Sequence, residues 1–311
     1  MIKTNKKLKI ILILLLVFLT TGCAKNLTDN NNKVVKNERT GQTLTKNILC
    51  KPTKKYTTSL YKKNEVNIDK LPECKNFKVT SGKYEGLWAS IFVKPLAFIL
   101  IKVGIIIGNY GVSVILVSLV IRFIAFPITK KTAMQSELIK KAQPELNRIQ
   151  KKYENKKDQD SMIKQNQEMM AIYKKYGINP MSGCLFAFLQ LPIFIAFFEA
   201  VQRVPIIFED KFLGLHLGTT PSVGITSPTF YSYLILMFFI AGTTFLSFKL
   251  NTTNNTEDPT MKMMPTMMSI MIVITAIFMP TGLGIYWVTS NIFTIVQNIL
   301  VKRSKVVHGK A

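Results

Sequence analysis

The chain has 311 residues, 48% of them hydrophobic, and a formal charge of +24. A soluble nucleic-acid binder can be this basic, but it does not also carry several apolar stretches of spanning length. The Lys/Arg excess therefore reads as topology information and as attraction to anionic lipid or RNA, with no DNA partner expected.

Lys3, Lys6, Lys7 and Lys9 precede the short apolar run Ile10–Leu19, the pattern of an export signal. Thr21-Gly22-Cys23 is similar to a bacterial lipoprotein cleavage site, so residues 1–22 are expected to be a signal peptide and Cys23 the lipidated residue. Thr20 stands where such sites usually carry leucine, which leaves an uncleaved signal anchor as the alternative. Residues 23–84 are polar, weakly periodic and hold fourteen Lys/Arg; they are expected to form a mostly disordered extracytoplasmic tether. Cys50 and Cys74 lie in this tether and either pair or remain two thiols. No CxxC or Cys/His cluster accompanies them, so no zinc site is expected.

Residues 85–108 are apolar but interrupted by Lys94, Pro95 and Lys102, with Trp88 near the start. That suits an interfacial amphipathic helix better than a span, although a span is the alternative reading. Five spans are predicted at 110–129, 180–201, 229–248, 261–279 and 285–301. Twelve Lys/Arg lie in the insert 130–179 and four in the tail 302–311, against Arg203, Lys211, Glu209 and Asp210 in the loop 202–228. The insert and the tail are therefore expected in the cytoplasm and the N-terminus outside, in a bacterial plasma membrane.

Within the insert, Met134, Leu138, Ile139, Ala142, Leu146, Ile149 and Tyr153 recur at helical spacing. Pro144 is expected to bend or break that helix, and Asp158 or Asp160 to cap the next one. Met162, Ile163, Met169, Met170, Tyr173 and Tyr176 form a second stripe that ends at Gly177 and Pro180. The expected class is all-α: a polytopic membrane protein with a five-helix transmembrane core at 110–301, an extracytoplasmic interfacial helix and a cytoplasmic helical hairpin.

One charge lies inside the run Val112–Phe126, the guanidinium of Arg122. Burying it near mid-membrane costs roughly 2.5–3.5 kcal/mol on insertion scales. Snorkelling to the inner interface is the plain alternative to a functional role. Ser118 and Thr129 share its stripe. In the fifth span Trp287, Asn291, Thr294 and Asn298 line up, with Ser290 and Gln297 alongside; Gln190 lies in the second span and Thr243, Thr244 and Ser247 in the third. Such faces should converge away from lipid. Glu199 is the one carboxylate in the five predicted spans and stands near the opposite membrane face, so the sequence implies water or a visiting anion around Arg122. Seven of the fourteen methionines crowd 261–279, either a flexible wall or loose packing.

These residues resemble the YidC/Oxa1/Alb3 family of membrane protein insertases, in its Gram-positive-type lipoprotein branch. The resemblance runs from about Trp88 to Val301. It rests on Tyr110-Gly111, Arg122, Pro127, Gln143-Pro144-Glu145, Gly183-Cys184, Gln190-Leu191-Pro192-Ile193-Phe194, Pro280-Thr281-Gly282, Tyr286-Trp287, Ser290-Asn291 and Gln297. Phe186 replaces a proline common in the family, and the tail is short for ribosome docking. The resemblance implies a non-enzymatic insertase with a hydrated, positively charged groove formed by Arg122, Ser118, Gln190, Trp287, Asn291 and Thr294. It implies nascent membrane proteins as clients, and the Sec translocon, the ribosome and anionic lipids as candidate partners. No cofactor is expected, since there is no phosphate-binding GxxxxGK[ST] loop. The competing reading is a small transporter or channel with an intramembrane anion site. It predicts a repeat, and the sequence shows none.

Overall fold

The computed structural model describes residues 24–156, 158–179, 182–251 and 259–308, with side chains left out at 182–189, 251, 259–262, 264, 265 and 304–308. The expected signal peptide and Cys23 lie outside the described residues. The chain forms two compact units that share its long helices. One comprises Met1–Val117, Ile193–Leu236 and Ile277–Tyr286, the other Ser118–Pro192, Met237–Ala276 and Trp287–Ala311.

The first unit departs most from expectation. Residues 24–84 are a folded layer, with a hairpin of β1 (Lys36–Asn37) and β2 (Gln42–Thr43) and a helix α1 (Lys55–Lys63). Leu27, Leu44, Ile48, Tyr61 and Ile68 form its core together with Phe208, contributed from far along the chain. Cys50 and Cys74 are joined by a disulfide. A segment this poor in apolar residues does not bury enough surface alone. Here the missing apolar surface comes from the 204–224 region, and the covalent link removes part of the unfolded chain's entropy.

A turn of wider helix, Ala89–Val93, leads into α2 (Lys94–Ile107), which ends at Gly108. α3 (Tyr110–Tyr153) starts two residues later; Asn109 Oδ1 accepts from the Val112 amide at 2.9 Å and Asp210 Oδ2 from the Tyr110 amide at 3.1 Å. Both carboxylate and amide caps satisfy first-turn N–H groups that have no partner in the helix. The outer loop carries a second small hairpin, β3 (Lys211–Phe212) with β4 (Leu215–His216).

α3 runs 44 residues without interruption through Pro127 and Pro144. Of the bend or break expected at Pro144, the break does not occur. Each proline removes one backbone hydrogen bond, and both rings point to exposed positions, where the rest of the ladder tolerates that loss. α3 therefore supplies both the first predicted span and the first arm of the hairpin. α4 (Gln159–Lys175) is the second arm, capped by Asp158 through the Ser161 amide at 2.9 Å. Gly177 takes a left-handed φ of 63° just beyond it. α5 (Ser182–Arg203), α6 (Phe230–Asn251), α7 (Pro259–Ile277) and α8 (Thr281–His308) follow.

Among the described residues four helical stretches are long and apolar enough to cross a membrane: Ala89–Ile107, Tyr110–Tyr153, Phe230–Leu250 and Thr281–Arg303. Three of them are predicted spans, in α3, α6 and α8. The fourth is the segment expected at the interface. The predicted span in α5 lies partly outside the described residues, side chains are left out at the start of α5 and of α7, and α7 shows a shorter apolar stretch, Thr266–Ile277.

Candidate functional site

In the second unit the burial pattern is inverted relative to a water-soluble protein. On α3, Ser118, Arg122 and Thr129 are buried at 0%, 7% and 7% exposure, while Val120, Phe123 and Ile124 on the other side are exposed. On α6, Thr244 and Ser247 are buried and Phe238, Phe239, Phe245 and Leu246 are exposed. On α8, Ser290, Thr294 and Gln297 are buried and Ile292, Val296 and Leu300 are exposed. Polar rows inside with large apolar side chains outside is the arrangement that hydrocarbon solvent selects.

Side-chain hydrogen bonds join these rows. The indole N–H of Trp287 donates to Thr244 Oγ1 at 2.9 Å, and the Asn291 amide donates to the same oxygen at 3.0 Å. Asn291 also reaches Thr243 Oγ1 at 3.4 Å. A buried threonine on α6 thus holds the aromatic ring and the amide that α8 presents. Nearer the end of α8, Gln297 and Thr129 bond at 2.9–3.0 Å. Phe293 packs edge-on against Phe123 at 5.1 Å.

Arg122, Ser118 and Gln190 each have a partner within the fold. Arg122 is buried, and it is not an isolated charge. Thr294 turns its hydroxyl back to the Ser290 carbonyl at 2.9 Å, a local helix bond rather than a link between helices. Gln190 is half-buried at the edge of the described side chains of α5. On α7, Met263, Met267, Met268 and Met271 are exposed, as an apolar surface would be in lipid.

The hairpin closes on itself through paired clamps. Glu145 on α3 accepts from Lys175 Nζ at 2.7 Å and from the Tyr176 hydroxyl at 2.7 Å. Glu168 on α4 accepts from Lys152 Nζ at 2.6 Å and from the Tyr153 hydroxyl at 2.9 Å. These bonds hold both carboxyls below the usual range, with the lysine donors the larger cause. Ala142, Leu146 and Ile178 form the core between the arms, with Met169, Ile172, Tyr173 and Tyr176 against it. The predicted second stripe therefore divides. Met162, Ile163 and Met170 face outward, and Ile163, Asn166, Gln167, Met170, Ala171 and Lys174 line an open groove of about 460 Å³. Lys140 bonds the Leu250 carbonyl at 2.6 Å, tying the hairpin to the end of α6.

In the first unit the centre of polarity is Arg203, which sequence reading placed among loop charges. It is fully buried at the end of α5. Its guanidinium pairs with Glu199 at 3.3 Å and with Glu85, and donates to the Asn47 carbonyl at 2.8 Å. Glu199 also accepts from the Trp88 indole at 2.8 Å. The signal for this cluster was available only as single residues scattered over 47–203, with no spacing to connect them. Glu209 likewise accepts from the Thr53 and Lys54 amides at 2.9 and 3.2 Å. The Pro280-Thr281-Gly282 motif docks on the same region: the Thr281 and Gly282 amides donate to the Thr219 and Leu217 carbonyls, both at 2.8 Å. A Cβ on Gly282 would sit 3.1 Å from Val201 and 3.3 Å from the Leu217 carbonyl, a tight fit that favours glycine at this close approach.

Comparison with known proteins places this architecture. The chain is 37% identical over 231 residues to membrane protein insertase YidC 2 of Bacillus anthracis, covering 74% of this chain and 86% of the relative. It is 36% identical over 217 residues to membrane protein insertase MisCA of Bacillus subtilis strain 168, covering 69% and 79%. A crystal structure of active YidC insertase with its first transmembrane domain resolved shares the fold at a TM-score of 0.50 and 19% identity; the match covers 78% of this chain and 49%, about half, of that one. The family model described as 60Kd inner membrane protein matches residues 102–308, and the chain belongs to that family, the family of YidC-type membrane protein insertases.

Proposed function

We propose that this protein inserts nascent membrane proteins into a bacterial plasma membrane without catalysing a chemical reaction. The observation that carries this reading is the row of buried polar side chains on α3, α6 and α8, with Arg122 among them, behind an exposed apolar surface. A polar, cationic lining shortens the hydrocarbon path that a client's polar flank must cross and favours acidic or carbonyl-rich flanks. The client's apolar segment then leaves into lipid, driven by burial at roughly 0.8 kcal/mol per CH₂. Trp287 and Asn291, held by Thr244, and Ser118, Gln190 and Thr294 complete the lining. The exposed thioethers of α7 and the outward methionines of α4 suit clients of varied sequence.

In this reading the hairpin and the C-terminal tail are cytoplasmic and the 24–84 layer lies outside. The disulfide supports that side for the layer. α2 lies along the outer surface. Its leading Trp88 bonds Glu199 near the end of α5, and two residues past its last turn Tyr110 bonds Asp210 in the loop that follows α5. Both ends of α2 thus meet the same side of the spans, which a crossing helix of that length would not do. Anionic lipids, the ribosome and the Sec translocon are the candidate partners of these surfaces.

Reconstitution tests the proposal. Purified protein in vesicles is expected to insert a short client that needs no other translocon, with no accompanying solute flux. Arg122→Ala should lower insertion of clients with acidic external flanks about tenfold, a difference of about 1.4 kcal/mol, and Arg122→Lys should lower it less. Thermal melts run in parallel report any loss of fold. Full insertion by a folded Arg122→Ala protein would remove the groove role, and solute flux without insertion would favour a transporter.

A further inference from the structure

We propose that α2 and the strip 74–84 beside it form a docking site for anionic phospholipid headgroups in the outer leaflet. This inference rests on the reading that α2 lies at the outer membrane surface. α2 has two faces. Leu96, Ala97, Leu100, Ile101 and Gly104 are buried against the protein. Ile91, Phe92, Ile99 and Ile106 are exposed, and Lys102 is exposed within the same stripe.

The strip is fixed along this helix at several points. Lys94 is buried, and its ammonium donates to the Ser81 and Lys83 carbonyls at 2.8 and 3.0 Å. Lys102 Nζ donates to the Lys75 carbonyl at 3.2 Å and lies 5.7 Å from the Phe98 ring centre. The Cys50–Cys74 disulfide holds the start of the strip. These bonds use main-chain carbonyls of the strip, which leaves the ammonium groups of Lys75, Lys78 and Lys83 at exposed positions. Residues 74–84 contain no Asp or Glu. Glu73, just before them, is 3.8 Å from Lys51, and Glu85, just after them, is paired with Arg203.

A pinned cationic strip beside an apolar stripe is the design of an interfacial anchor. The exposed Tyr84, Leu87, Ile91 and Phe92 next to it decide between phosphate sources. A soluble polyanion would neutralise the lysines and leave these side chains in water. A phospholipid satisfies both, with its headgroup on the strip and its chains against the stripe.

The test is lipid retention by the purified full-length protein, measured by native mass spectrometry with equal phosphatidylglycerol and phosphatidylcholine. The wild type should retain phosphatidylglycerol preferentially. Each lysine near the surface contributes about fivefold, so the triple variant Lys75→Gln, Lys78→Gln, Lys83→Gln should lose at least about tenfold of that preference. A control triple of exposed lysines in the β1–β2 region, Lys33→Gln, Lys36→Gln, Lys46→Gln, removes the same charge and should keep the preference. No preference in the wild type, or equal loss in both triples, overturns the site. Displacement of the lipid by inorganic polyphosphate at matched phosphate concentration overturns the commitment to a lipid. Client insertion is scored separately: a protein that keeps its lipid preference but inserts nothing counts against the insertase reading and leaves this one standing.

Discussion

The 24–84 layer and the α3–α4 hairpin are both lysine-rich, yet they fold by different routes. The hairpin core is one face of each helix, with Ala142 and Leu146 against Ile178 and its neighbours. Its clamps at Glu145 and Glu168 lie on the surface, where ion pairs contribute little. The layer has two-residue strands, one short helix, and a core that needs Phe208. Its stability is concentrated in a few nodes: the disulfide, Arg203 and Glu209. A region held by nodes should fail abruptly when one is cut, whereas a region held by a stripe should weaken by degrees.

Arg203→Ala is expected to show the largest difference. It leaves Glu199 and Glu85 without their cation in a buried site, a change that typically costs about 3–5 kcal/mol. Limited proteolysis should then cut residues 24–84 readily while the hairpin keeps its resistance. Equal protection of the layer in wild type and variant would mean that the cluster does not hold it. Replacing both cysteines by alanine should act next. The loop closed by Cys50 and Cys74, with a sequence separation of 24, corresponds to about 3.5 kcal/mol in the chain-entropy account. Thiol reductant should lower the wild-type melting temperature of the layer and leave the alanine pair unaffected. A reductant effect of the same size on both proteins would count against the disulfide as its staple.

Glu145→Gln with Glu168→Gln probes the other side of the comparison. Both clamps lose their charge, but the apolar stripe remains. Hydrogen exchange should quicken at the hairpin tip and near Tyr176, with no change in the layer and only a slight fall in overall stability. Collapse of the hairpin would show that the clamps, rather than the stripe, hold it together.

The same contrast explains what was legible in the sequence. Helical periodicity located both hairpin arms, and the cap was narrowed to Asp158 or Asp160, of which Asp158 takes the role because its partner lies three residues away. The polar rows on α3 and α8 were visible because each is a stripe on one helix, and Thr244 was named although its bonds to Trp287 and Asn291 were not. Nothing local in the sequence announced that Arg203 would meet Glu85, or that Phe208 would complete the core of a segment 140 residues earlier. Pro144 left a bend and a break both open in the sequence, and the helix runs on without the break for a different reason. Proline propensity is a local penalty, and a 44-residue helix packed along one face absorbs it.

Acid separates the two regions once more, through groups of opposite sign. His216, on β4, has Nδ1 buried without a hydrogen-bond partner among the described residues. Burial, helped by Lys211 and Lys54, pulls its pKa down from 6.5 to about 4. The folded unit therefore refuses a proton that the unfolded chain accepts. Stability from this site is complete above about pH 6.5 and falls as pH drops toward 4. The hairpin carboxylates are also shifted down, but from a lower starting point: Glu145 and Glu168 are depressed below 4.5, so their contribution persists through that window and is lost only as pH falls through their lowered folded values. Between pH 7 and pH 5 the layer and its 204–224 support should lose protease protection while the hairpin does not. His216→Gln should flatten that dependence, and an unchanged slope in the variant would assign the acid sensitivity to another group.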